Sequence, residues 1–225
     1  LFNYAVRFYG LKNNPARLAG NMGIEEVGEM KFWTKEEYLT FSRAMMNKEE
    51  RYHAFEILYW CGIRLGELLA LTAEDFDFEK KTLRINKSYQ RVKGKDVITT
   101  PKTRKSNRVL TLPDFLAEEM QDYISRLPYL KVDDRIFTIT KSSLHHEMDR
   151  GAKASGVKRI RIHDLRHSAC AALIELGFSP VQIAERLGHE SETVTMRYAH
   201  LYPSVQKDMA DKLSAMRKGS ENHDR

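Results

Sequence analysis

Cysteine is nearly absent: there are two in 225 residues, Cys61 and Cys170, each among apolar neighbours (Leu58-Tyr-Trp-Cys and Ser168-Ala-Cys-Ala). Thiols in such settings read as buried and reduced, which excludes a disulfide framework and leads us to expect a cytosolic, cytoplasmic protein. No apolar run approaches the eighteen or so residues that span a bilayer. No succession of basic, apolar and small residues marks a secretory signal. The glycine-rich loop that cradles nucleotide phosphates is missing, and so is a paired-carboxylate metal motif. Repeats and low-complexity tracts are also lacking. The chain opens at Leu1, without methionine, in what reads as the middle of a helix, and is expected to be a fragment of something longer.

What is present is ordinary in bulk and unusual in detail. Hydrophobic residues make up 42% and charged residues 30%, enough for one main domain with a full core and a piece of another. The net charge of +6 is unevenly spread. Between Lys80 and Arg108 stand eleven basic residues and one acid, Asp96, so that segment carries +10 and the remainder −4. A solvated hairpin guarding a sheet edge would mix signs. A cationic block in an otherwise slightly acidic chain points to a polyanion, nucleic acid above all. Lys93, Lys95, Arg104, Lys105 and Arg108 are its candidate phosphate contacts.

Punctuation along the chain predicts an α+β organisation, mainly helical, with a small antiparallel sheet of about three strands. Leu1 to Gly10 is helical in pattern, Asn13-Asn14-Pro15 a turn, and 20–28 a linker. Thr34 and Glu37 form a capping box flanked by Trp33 and Tyr38 at the spacing of a hydrophobic staple. Helices follow to about Met46, from Arg51 to Cys61, and from Leu65 to Leu71, with Gly62 stopping the second. Arg64 then sits at a helix start, where a cation suits neither propensity nor dipole, which marks it for a task beyond folding. Alternation places strands between Phe76 and Leu112, with Leu83, Ile85, Val97, Val109 and Thr111 facing a core and Lys102 at a hairpin tip. The rest reads as helices over 113–126, 143–155, 163–176, 180–187, 191–199 and 204–216, with a second capping box at Ser179 and Gln182 around Pro180.

The chemistry gathers near helix ends. In the helix from His163, the residues Leu165, Ala169, Ala172, Leu173 and Leu176 form an apolar stripe. His163, Arg166 and His167 fall together in an arc of about 100° outside its centre. Three donors on a first turn, beside unpaired backbone N–H groups, favour an anion. A basic solvated turn is the bland alternative; a zinc site, with His163 and His167 at i and i+4, lacks the glutamate and further ligands it needs. His189 follows the helix-ending Gly188, and Tyr198 follows nine residues later. Singly, His189 reads as a turn residue, Tyr198 as a core aromatic and Arg64 as a partner for Glu67. Together, two arginines, two histidines and a tyrosine are the parts needed to attack a phosphodiester without a metal.

That conjunction resembles the tyrosine recombinase family, the phage and conjugative-transposon integrases. The resemblance runs from Thr34 to about Tyr202 and rests on Gly62-Ile-Arg-Leu-Gly-Glu-Leu, Thr100-Pro-Lys-Thr, His163-Asp-Leu-Arg-His, Leu187-Gly-His and Thr195-Met-Arg-Tyr-Ala-His. It implies residues 1–28 as the end of a core-DNA-binding domain with its linker, 29–218 as the catalytic domain and 219–225 as a tail. It implies Tyr198 as nucleophile on a DNA 3′-phosphate, with Arg64 and Arg166 on the non-bridging oxygens. Lys102 would protonate the leaving 5′-oxygen, His163 would serve as acid–base, His189 would hydrogen-bond the phosphate, and Glu67 would orient the arginines. No metal or nucleotide is needed, because the phosphotyrosine bond conserves the energy of the broken ester. The implied partners are double-stranded recombination sites of a mobile element and three further copies of the chain in a tetrameric synapse. Val205, Met209, Leu213 and Met216 form a stripe on the last helix, which by the resemblance packs on a neighbouring protomer. Relaxation by a type IB topoisomerase, a silent DNA-binding relative and a metal-dependent nuclease are the competing readings.

Overall fold

The computed structural model describes residues 1–19, 31–100, 106–189, 195, 198, 210 and 211. The expected linker at 20–28, the hairpin tip with Lys102, Arg104 and Lys105, most of the two last helices and the tail lie outside the described residues. The chain divides into two compact units, Leu1–Met30 and Lys31–Arg225. In the first, α1 (Phe2–Phe8) is followed by α2 (Pro15–Ala19), where sequence indicated only a turn. Asn14 makes the difference: its side-chain oxygen accepts from the N–H groups of Ala16 and Arg17, so Asn14-Pro15 opens a helical turn.

The second unit begins at the predicted capping box. Thr34 N–H donates to Glu37 at 2.9 Å and Glu37 N–H to the Thr34 hydroxyl at 3.3 Å, starting α3 (Lys35–Arg43). Trp33 and Tyr38 are both buried beneath it. The next helix, α4 (Glu49–Cys61), is buried at every position from His53 to Tyr59, so its middle has no solvent face. Its Glu56 is a buried carboxylate that accepts from Tyr38, Ser42 and Trp60. Around it lie α5 (Leu65–Leu68), α6 (Asp114–Ser125), α7 (Lys141–Ser155), α8 (Asp164–Glu175) and α9 (Pro180–Leu187), the last opened by the predicted Ser179–Gln182 box. Cys61 and Cys170 are buried in this packing, and burial pushes both thiols up to about 12.

The expected three-stranded antiparallel sheet is present, with two details the sequence pattern did not give. β1 (Phe76–Asp77), β2 (Thr82–Ile85) and β5 (Arg108–Thr111) form a three-stranded antiparallel sheet, while β3 (Ser88–Val92) and β4 (Lys95–Thr99) form a separate antiparallel ribbon. Lys93 and Gly94, both at positive φ (49° and 79°), make the tight turn that joins the ribbon strands. On β5 the inward side chain is Leu110, paired with Leu83, and Val109 is 63% exposed. On β5 alone the alternation falls one residue out of step with the expectation that Val109 and Thr111 face inward, whereas Leu83 and Ile85 on β2 face the core as expected. The stripe on α8 also differs: Leu176 is 73% exposed, whereas Cys170 and Ile174 are buried with Leu165 and Ala169.

Candidate active site

Three helix ends meet here. Gly62 closes α4 in the left-handed conformation, φ +61°, which lets the chain turn directly into Arg64 and α5. A side chain at 62 would place its Cβ 2.4 Å from Leu187 Cδ2 and 3.1 Å from Ala169 Cβ, so Leu187 would have to shift to admit it. Glycine closes α9 as well: Gly188 N–H bonds to Glu185 O and His189 N–H to Ala184 O, a Schellman pattern that delivers His189 to the site.

The carbonyls at this end of α9 organise the cations. Arg108 Nε donates to Arg186 O at 3.0 Å, Arg166 Nη2 to Leu187 O at 2.6 Å, and Arg64 Nη2 to Gly188 O at 3.2 Å. Arg166 also donates to Gly62 O at 2.7 Å, the carbonyl that ends α4. Helix C-termini carry partial negative charge, so these bonds hold guanidiniums that would repel one another. Arg166 is buried, and burial together with Arg64 pulls it down to about 9, leaving it cationic at neutral pH.

Glu67 completes the frame. It accepts from the Arg64 backbone N–H at 2.9 Å and from its guanidinium at 2.8 Å, and it pairs with Arg108 at 3.1 Å. Burial works to raise Glu67, but Arg108 and Arg64 outweigh it and hold the carboxyl below its ordinary value. The sequence anticipated the Glu67–Arg64 pairing and missed Arg108. Expected at the surface among the phosphate contacts, Arg108 is instead buried, its side chain 7% exposed against Glu67. That placement follows from β5 running beside α9, which no local pattern encodes.

Tertiary structure also redistributes the basic block. Lys80 pairs with Asp77, Lys81 with Asp114, Lys87 and Arg84 with Asp75, and Arg91 with Asp96. Lys93 and Lys95, exposed at the ribbon tip, have no carboxylate partner among the described residues.

Three histidines and the tyrosine stand around the arginines. His163 caps α8 and is exposed; crowding by protein and the charge of Arg166 lower its pKa. His189 is buried with its Nδ1 2.9 Å from the Thr195 hydroxyl, and burial followed by the arginines Arg166, Arg64 and Arg108 brings it to about 3. Tyr198 is 2% exposed and its hydroxyl is hydrogen-bonded to Nδ1 of His167. Sequence reading grouped His167 with His163 and Arg166 but left it out of the expected catalytic set. The i, i+4 spacing was the available signal. No cluster of three or more His, Cys, Asp or Glu side chains among the described residues is placed to hold a metal ion.

A buried phenol bonded to an imidazole, beside guanidiniums fixed by helix ends, is equipment for nucleophilic attack on an anionic, phosphate-like centre. The chain belongs to the phage integrase family, whose model matches residues 31–204. It is 33% identical over 228 residues to the ICEBs1 integrase of Bacillus subtilis (strain 168), covering 95% of this chain and 62% of that protein. Against the integrase of Mycobacterium phage L5 the identity is 27% over 230 residues, covering 98% and 61%. The chain thus spans about three-fifths of the length of these curated relatives. Its fold matches the Tn1549 transposon integrase, solved in complex with a circular intermediate DNA, with a TM-score of 0.72 and 21% identity over 96% of this chain and 75% of that one. XerA recombinase matches at a TM-score of 0.63 and 20% identity over 85% and 66%.

Proposed function

We propose that this chain is the catalytic part of a site-specific DNA recombinase that integrates and excises a mobile element. The observation that carries this is the arrangement of Arg64, Arg166 and His189 on the ends of α4 and α9, next to a buried Tyr198. In this reading Tyr198 attacks the scissile phosphorus and forms a 3′-phosphotyrosine bond, releasing the 5′-oxygen. The transition state gathers negative charge on the non-bridging oxygens, where planar guanidiniums bind best. Glu67 and Arg108 hold Arg64 in place, and His163 and His189 reach the phosphate. Lys102, assigned through Thr100-Pro-Lys-Thr and the family resemblance alone, protonates the leaving oxygen. Lys93 and Lys95, with Arg104 and Lys105, follow the backbone of the duplex. A tetrameric synapse and strand exchange through a four-way junction complete the reading, with residues 204–216 packing on a neighbouring protomer. Residues 1–28 are the end of a core-binding domain. Relatives are named integrases of phages and an ICE, and a XerH recombinase has been solved bound to its difH substrate.

Covalent capture tests this. Incubated with nicked duplexes carrying candidate element ends, the parent forms an adduct that survives a denaturing gel. Tyr198→Phe, which loses one hydroxyl and no charge, forms none while binding DNA equally well. An adduct that persists with phenylalanine at 198 rules out the assigned nucleophile.

A further inference from the structure

On the reading of Tyr198 as nucleophile, we propose that His167 is the group that takes its phenolic proton, with Asp164 holding the imidazole in the required tautomer. The three side chains are neighbours. The Tyr198 hydroxyl bonds to His167 Nδ1, and His167 Nε2 stands 3.7 Å from Asp164 Oδ1. Asp164 is 2% exposed and cannot turn away: its carboxylate accepts the Arg161 backbone N–H at 2.8 Å and the Arg161 guanidinium at 2.8 and 3.1 Å. At 3.7 Å the Nε2–Asp164 contact is too long for a hydrogen bond, yet a carboxylate there favours the proton on Nε2. The lone pair on Nδ1 is then free to accept from the phenol.

Position separates His167 from His163. The ring of His163 is exposed and meets His167 edge to face, with centroids 5.1 Å apart, while His167 lies inward of it against Tyr198. Tyr198 is buried, so bulk water is poorly placed to receive its proton. Among the described residues, the charged and titratable groups facing His167 are His163, Asp164, Arg161, Arg166, His189 and Tyr198. Burial first, and then His163, bring His167 down to about 4, so the ring is neutral in the neutral range.

The step balances. A bond forms between the Tyr198 oxygen and phosphorus as the bond from phosphorus to the 5′-oxygen breaks. The phenolic proton passes to His167 Nδ1, and the resulting imidazolium faces the Asp164 carboxylate. The leaving oxygen takes a proton from the general acid, assigned above to Lys102. In religation the 5′-hydroxyl gives its proton back to Lys102 as it attacks phosphorus, the bond from phosphorus to the Tyr198 oxygen breaks, and His167 returns the proton to the tyrosine.

The test uses a nicked duplex selected from a random-core pool by covalent capture with the parent protein. His167→Asn places a carbonyl oxygen near the position of Nδ1, so it can hold the phenol and cannot take its proton. Its DNA affinity should stay within about twofold of the parent, with single-turnover cleavage at pH 7 slower by about a hundredfold or more. Cleavage within threefold of the parent would overturn the relay. Should the variant melt far below the parent, nitrogen NMR of the intact parent decides instead. Protonated Nε2 with bare Nδ1 supports the relay, and the opposite tautomer removes it. A Tyr198-dependent adduct unaffected by His167→Asn overturns the relay alone; a parent with no such adduct overturns the nucleophile and the relay together.

Discussion

Glu67 is the residue on which the cation cluster depends, because Arg64 and Arg108 repel each other without it. Its side chain is 5% exposed, so its removal leaves a buried guanidinium uncompensated. Glu67→Gln should therefore cost about 3–5 kcal/mol in urea denaturation, in the range found for breaking buried pairs. The pH dependence has a defined sign. The folded pKa of Glu67 lies below its unfolded value near 4.3, so the stabilisation is present above that value and is lost as pH falls through the folded pKa. The difference in stability between parent and Glu67→Gln should thus be constant from pH 7 to about 5 and narrow below it. A difference that stayed the same at pH 3 would mean that the carboxylate is not held by the arginines.

At the scale of elements, the site is a junction of helix ends, and two glycines separate the contributions of strain and space. Gly94 and Gly62 both have positive φ, 79° and 61°, but no atom lies within 4 Å of a Cβ built on Gly94. Gly94→Ala should lose only the left-handed penalty, about 1–2 kcal/mol. Gly62→Ala adds a clash with Leu187 at 2.4 Å and should cost about 1–3 kcal/mol more. It should also slow DNA cleavage, because Gly62 O and Leu187 O are the two acceptors of Arg166. Equal melting temperatures for the two variants would mean that α4 and α9 adjust freely and that their spacing does not hold Arg166.

Over the whole molecule the charge is less available than its count implies. Five of the eleven basic residues between Lys80 and Arg108 pair with Asp77, Asp114, Asp96 or the buried Asp75, and Arg108 pairs with the buried Glu67. Phosphate contacts should therefore fall on the ribbon tip. Lys95→Ala should lower the salt slope of DNA binding by about one unit, uniformly across sequences, while leaving the cleavage rate of bound DNA near that of the parent. Lys81→Ala, already paired with Asp114, should change the slope far less. Equal slopes for the two variants would place the duplex elsewhere.

The sequence by itself determined what depends on neighbours along the chain. Both capping boxes, the glycines ending α4 and α9 and the ribbon turn follow from contacts between residues a few positions apart, whose geometry any helix or turn repeats. Only the tertiary structure decided the rest. Arg166 and Gly62 are 104 residues apart, Arg108 and Glu67 are 41 apart, and His167 and Tyr198 are 31 apart. No periodicity reports such separations. Val109 facing out, Arg108 turning in and His167 reaching Tyr198 follow from how β5, α8 and α9 pack around α4. Burial and long-range electrostatics then select among faces that local pattern leaves equivalent.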